Sequence, residues 1–241
     1  MERHRLVERA APSDLVSVVG QICGLHAQLM ASAELSLWAR IDGLERDAVH
    51  EALWKQRALV KLWAMRGTLH LLPSAELGVW LSALGTHTKY WNTGHPEIDL
   101  LADAVGRALE DRVLTREELA LEVEQITVAQ SLGELVRSSW GWPLKPVSFR
   151  GLICFAPRMS SNVRFTSPTT WVAGKIDKPN SVDALREVTR RFLGAYAPST
   201  AEDLALWWGG YGRRHGARML AALGEEAIVS RTREHVCKSP I

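Results

Sequence analysis

Leu59-Val60-Lys61-Leu62-Trp63-Ala64 and Thr68-Leu69-His70-Leu71-Leu72 flank the triplet Met65-Arg66-Gly67. Two short apolar runs around an Arg-Gly turn predict a β-hairpin. The chain before it carries the periodicity of helices. Pro12-Ser13-Asp14 starts the first, with Ser13 or Asp14 as cap, and Leu15, Val18, Val19 and Ile22 form its apolar stripe. Gly24 can end it. A second helix is expected from about Ser32 to Ile41, with Leu35 and Trp38 inward, before Asp42-Gly43 breaks it. A third is expected from about Glu45 to Gln56, with Val49, Leu53 and Trp54 as inward candidates. Three helices followed by a hairpin is the winged helix-turn-helix plan, in which one helix faces a DNA groove and the hairpin touches backbone.

The plan recurs. Ile98 to Leu109 is helical in pattern, Thr115-Arg116-Glu117-Glu118 is a capping box, and Val128 to Ser139 is a third helix. Gly151 to Phe155 and Val163 to Thr166 then make a hairpin around Ser161-Asn162. Lys178-Pro179-Asn180-Ser181 looks like a linker. Beyond it, Val182 to Tyr196 is a helix, Thr200-Ala201-Glu202-Asp203 caps another that reaches Trp208, and Gly212 to Leu223 is a third. Trp207-Trp208-Gly209-Gly210-Tyr211-Gly212 reads as the turn of a helix-turn-helix. A hairpin is due near Ala227-Ile228-Val229, but the tail Thr232 to Ile241 shows no strand-like alternation. This last unit is therefore expected to be incomplete, truncated or frameshifted relative to a longer design. The expected fold is mainly α with short β-hairpins, built as tandem winged helix-turn-helix units. Its units are 1–96, 97–177 and an incomplete 178–241. The repeat is one of elements, not of letters, so a solenoid is excluded.

Composition narrows the class. Of 241 residues, 46% are hydrophobic and 23% charged, which suits a globular chain with a real core. The net charge of +2 announces no nucleic-acid binder by itself, so any basic surface must come from local clustering. Ten tryptophans against four phenylalanines imply much indole packing. Cys23, Cys154 and Cys237 are far apart, with neither a disulfide framework nor zinc-ligand spacing. No apolar run nears the roughly 20 residues of a membrane span. A soluble protein of a reducing cytoplasm is expected. Phosphate-binding glycine loops, the G-x-S-x-G elbow and H-E-x-x-H are absent from the sequence. Lys55, Lys61 and Lys89 carry no context that marks a nucleophile.

Three groups could carry chemistry. His26 and Gln28 follow Gly24, with Ala27 between them. On a helix they would diverge by about 200°; only an extended segment lets both reach one place. There, imidazole and carboxamide could hold one water, and His26 could take its proton. The alternative is a buried polar pair bonded to main chain. Arg66 at the hairpin tip could meet a phosphate, with His70 near the same cleft, or could simply be an exposed turn residue. Arg213, Arg214 and Arg218 lie on the last helix, Arg214 and Arg218 on one face. That face suits phosphate contact or is merely solvated. Arg186, Arg190 and Arg191 form a further basic cluster of lower weight.

Gly24-Leu25-His26-Ala27-Gln28, Leu37-Trp38-Ala39-Arg40, the run Trp63 to Leu71 with its Arg-Gly-Thr-Leu-His, and Ala201 to Ala205 with Trp208-Gly209-Gly210 together resemble a known family. It is the winged-helix DNA glycosylases that remove bulky alkylpurines and unhook interstrand crosslinks, including azinomycin-type self-resistance enzymes. The resemblance runs to about Val229. It implies tandem winged-helix units in a C-shaped scaffold around duplex DNA, and a catalytic pair of polar residues around an apolar one, commonly Gln-x-Gln or Gln-x-Asp. The matching positions here are His26 and Gln28, so the first departs from the commoner form. The implied reaction is monofunctional release of an N7-alkylpurine, by water attack at C1′ through an oxocarbenium-like transition state. No metal or cofactor is implied, and DNA docking falls to Arg66, His70, Arg213, Arg214 and Arg218. A monomer on double-stranded DNA, alkylated or crosslinked, is expected, with no membrane. Family members commonly run a hundred residues or more beyond this length. A non-catalytic winged-helix regulator, or an inactive truncated relative, is the competing expectation.

Overall fold

Helix α1 (Leu15–Gln21) buries Leu15, Val18 and Val19, and Ile22 follows them inward. A computed structural model describes residues 2–87, 97–138, 141–230 and 235–238 of the chain. After α1 the backbone turns left-handed at Cys23 (φ 60°) and Gly24 (φ 84°) and leaves as the short strand β1 (Leu25–His26). A Cβ on Gly24 would lie 2.5 Å from Leu72 Cδ2, so both the backbone angle and the space require glycine.

Next come α2 (Met30–Trp38), α3 (Ala48–His50) continued by a π-helical turn over Glu51–Lys55, β2 (Leu59–Trp63) and β3 (Leu69–Pro73). The strands form an antiparallel sheet in the order β1-β3-β2, with His26 and Leu62 both opposite His70 and Lys61 opposite Leu71. Helix α2 corrects the sequence reading. Leu35 is 61% and Trp38 37% exposed, while Ala33 and Leu37 are buried. Both pairs have helical spacing. The small Ala33 is what lets this face seat against the core, and periodicity alone does not choose between them. Trp54 is half-buried and meets the Trp171 ring edge-on at 5.8 Å.

Helix α4 (Leu77–Leu84), which follows the hairpin, was not expected from the sequence. Leu77, Gly78, Trp80, Leu81, Ala83 and Leu84 are all buried, so it has no polar face to reveal a period. The second set is α5 (Ile98–Ala108), β4 (Val113–Thr115), α6 (Arg116–Thr127), α7 (Gln130–Arg137), α8 (Leu144–Phe149), β5 (Cys154–Met159) and β6 (Asn162–Thr166). Its sheet order, β4-β6-β5, repeats that of the first: the strand after the first helix pairs with the last strand of the hairpin. The Thr115–Glu118 capping box forms in both directions. Helix α7 begins at Gln130; Val128 before it is left-handed and 92% exposed. Arg137 on α7 pairs with Glu117 and Glu124 of α6, stitching the two helices.

After α9 (Pro168–Val172) the third set is α10 (Ser181–Tyr196), α11 (Ala201–Trp208) and α12 (Arg213–Ala221). A Cβ on Gly216 would fall 1.8 Å from the Ala201 carbonyl oxygen, so α12 crosses α11 in backbone contact. The expectation of a missing hairpin is overturned: β7 (Ala227–Ser230) pairs antiparallel with β8 (His235–Lys238), Ile228 opposite Cys237. Alternation reports a half-buried strand, whereas pairing itself is made by main-chain groups of any sequence. Residues 231–234 and 239–241 of that tail lie outside the described residues.

One core runs continuously from Cys23 through the second set to Leu223, and a second lies among α1, α2 and α3. The outer side of β2 is held by α8 of the second set and by α9. The Trp171 indole N–H donates to the Leu59 carbonyl and the Ser148 hydroxyl to that of Trp63, each at 3.0 Å. Among the described residues no helix is long and apolar enough to cross a membrane.

Candidate active site and nucleic-acid interface

The break at Gly24 makes Leu25 to Gln28 extended, so buried Ala27 separates two exposed side chains, His26 and Gln28. The main chain of Leu69 clamps the segment. Its carbonyl accepts from Ala27 N–H at 2.7 Å, and its N–H donates to Gln28 Oε1 at 3.3 Å. The carboxamide is thereby oriented, with its NH2 group and one oxygen lone pair left for another partner.

His26 stands over His70, ring centroids 5.5 Å apart and nearly perpendicular. His70 is 2% exposed. Its Nδ1 lies 3.0 Å from the Thr68 carbonyl, which can only accept, so Nδ1 carries the hydrogen. Burial pushes its pKa down to about 3, against the opposing pull of that hydrogen bond. His26 is also held below the usual histidine range, by partial burial and then by the Arg66 charge. Both rings are neutral at pH 7. The expectation that His70 meets DNA is corrected on this point: a ring buried under its neighbour supports His26 and offers no surface to a phosphate.

Arg66 sits at the turn of the β2–β3 hairpin in a left-handed conformation (φ 59°), exposed. Its Nη1 donates to the Trp207 carbonyl at the end of α11, at 3.0 Å. The hairpin tip is thus docked on the third set rather than projecting alone. Arg213, Arg214 and Arg218 occupy the exposed side of α12, opposite buried Gly216 and Met219. The other arginine cluster is neutralised. Arg190 pairs with Glu226 and Glu187, Arg191 with Glu187 and Glu76, and Arg186 with Asp183.

Beside Gln28 a cleft of about 550 Å³ opens between the first hairpin and the second, walled by Leu29, Trp54, Leu69 and Phe155. Lys61, on β2, lines it and is 9% exposed. Its ammonium lies 5.8 Å from the centre of the Phe155 ring. Burial, and then the nearby Arg158, pull its pKa down to about 8. The sequence hid this: an isolated lysine in an apolar run shows nothing of the second hairpin that encloses it.

Comparison with known proteins fits this layout to a family. The family model described as DNA glycosylase AlkZ-like matches residues 19–237. The chain belongs to the AlkZ-like DNA glycosylase family. It is 34% identical, over 218 residues, to an interstrand DNA cross-link repair glycosylase of Streptomyces sahachiroi, covering 86% of this chain. The chain spans 58% of the length of that relative. The solved structure of the Streptomyces sahachiroi DNA glycosylase AlkZ superposes with a TM-score of 0.89 at 31% identity, covering 99% of this chain and 67% of that one.

In this AlkZ-like chain position 26 carries an imidazole. A neutral imidazole accepts a proton where a carboxamide only orients one.

Proposed function

We propose that this chain is a DNA glycosylase that excises bulky N7-alkylpurines or unhooks interstrand crosslinks by water attack at C1′. The observation that carries the reading is the clamped segment at the cleft mouth. Exposed His26 and Gln28 stand side by side on an extended strand, backed by a buried neutral histidine. Family membership and the crosslink-repair name of the relative support it.

The chemistry follows from charge. An N7-alkylguanine is cationic and leaves without much help, so the protein need only place a water and tolerate a developing positive charge on the sugar. Gln28, fixed by Leu69, holds the water through its free NH2 and oxygen lone pair. His26, neutral at pH 7, takes the proton as the C1′–O bond forms. The two sets with matching strand order are winged-helix units that cradle the duplex, and the exposed arginines of α12 meet its phosphates.

Release of N7-alkylguanine from a labelled duplex tests this. The unchanged chain should release base. Gln28→Ala and His26→Ala should each lower the rate by about 100-fold or more, within the range typical of acid–base groups, while DNA binding stays within about twofold. Equal loss of binding and release would make the pair structural and sink the assignment.

A further inference from the structure

A lysine whose stem is this enclosed and whose ammonium meets a cleft needs a reason. Lys61 is 9% exposed, yet among the described residues its ammonium makes no hydrogen bond or ion pair, and only the Phe155 ring and the Arg158 charge bear on it. Cations less buried than this are answered: Arg137 by three glutamates, Arg190 and Arg191 by two each. Lysine on the sheet beside Gln28 therefore has a role that a salt bridge does not fill. The cleft it lines is the one that Gln28 lines, and no acidic side chain lies on its walls. A desolvated amine next to a second cation is the environment that makes lysine a nucleophile toward carbonyls.

Given the proposed glycosylase reaction, the carbonyl is at hand. Base release leaves a deoxyribose whose ring-opened form is an aldehyde at C1′, and C1′ is what Gln28 addresses. We propose that Lys61 captures this aldehyde and that the chain has a second, strand-cleaving activity on abasic sites.

The steps balance. Nζ adds to C1′ and water leaves, forming an imine; its protonated form acidifies the C2′ hydrogen. That proton passes to a base, for which the cleft offers His50. The electron pair forms the C2′–C3′ double bond and expels the 3′ phosphate as a phosphate monoester. Hydrolysis of the imine returns Lys61 and leaves an unsaturated aldehyde on the upstream strand. No metal, oxidant or reductant enters. This goes beyond the monofunctional reaction that the family resemblance implies, and it rests on the reading that C1′ comes to Gln28.

The test bypasses the glycosylase step. A duplex with a preformed abasic site is mixed with the 241-residue chain and sodium cyanoborohydride, which reduces an imine to a stable secondary amine. A covalent protein–DNA complex is expected, rising in yield as the pH passes about 8, together with strand cleavage when the reductant is left out. Lys61→Arg keeps the charge and removes the nucleophile: it should abolish trapping and cleavage, yet keep abasic-DNA binding within about twofold and a normal thermal melt. Absence of a trapped complex with the unchanged chain overturns the proposal, as does trapping that survives Lys61→Arg. If Lys61→Arg keeps binding while Lys61→Ala loses it, and neither the unchanged chain nor any variant is trapped, Lys61 is a phosphate contact instead. Base release from alkylated duplex, run alongside, reports separately on His26 and Gln28.

Discussion

His70 shows how a single residue links the site to stability. Its folded-state pKa, about 3, lies below the value near 6.5 of an unfolded histidine. Below pH 6.5 the unfolded chain therefore binds a proton that the folded chain refuses, so stability falls as pH falls through that window. His26 and His215, both shifted in the same direction, add to the slope. Each bound proton changes stability by about 1.4 kcal/mol per pH unit. We expect His70→Gln to flatten the pH dependence between pH 6.5 and 5 by up to that slope, read by urea unfolding at stepped pH. An unchanged slope would show that His70 is protonated in the fold. The Lys61 amine is the other residue-scale surprise. Gly24, His26, Gln28 and Arg66 declare themselves in the sequence because a glycine break and a hairpin turn are local signals. Lys61 does not, because its environment is made by β5 and β6, about a hundred residues away in the chain.

At the scale of elements, β1 exists because α1 stops in time. Gly24→Ala would force a Cβ to 2.5 Å from Leu72 at a positive φ. We expect it to cost about 1–3 kcal/mol and to slow base release, since β1 must shift against β3. Gly43→Ala is the control. That glycine has φ 63° but nothing within 4 Å, so only the backbone term, about 1 kcal/mol, applies. Denaturant midpoints separate the two; equal losses would mean that the Leu72 contact relaxes freely. Elements with local punctuation were legible: both capping boxes, both predicted hairpins and the α11–α12 turn. Those without it were not. Helix α4 is apolar on all sides, α2 offers two stripes of equal period, and β8 pairs without alternating.

For the whole molecule, charge is sorted rather than accumulated. The arginines of α10 are spent on Glu76, Glu187 and Glu226, whereas those of α12 stay on the surface. Replacing Arg213, Arg214 and Arg218 together by Ala should weaken duplex binding and lower the slope of log K against log salt by up to about 0.9 per lost phosphate contact. Arg190→Ala should leave that slope alone and lower stability. An unchanged slope in the triple variant would place the phosphate contacts elsewhere.

The fastening of β2 sets how this protein can be taken apart. In the first sheet β2 is an edge strand, and its free side is closed by a Trp171 indole from α9 and a Ser148 hydroxyl from α8. All five of its residues are buried. A fragment cut at residue 96 would uncover an unpaired ladder of Leu, Val, Leu and Trp around one lysine, a surface that templates self-association. The repeat visible in the order of elements is therefore not a string of separable beads. The later residues cover a strand that the first set would otherwise leave open to solvent.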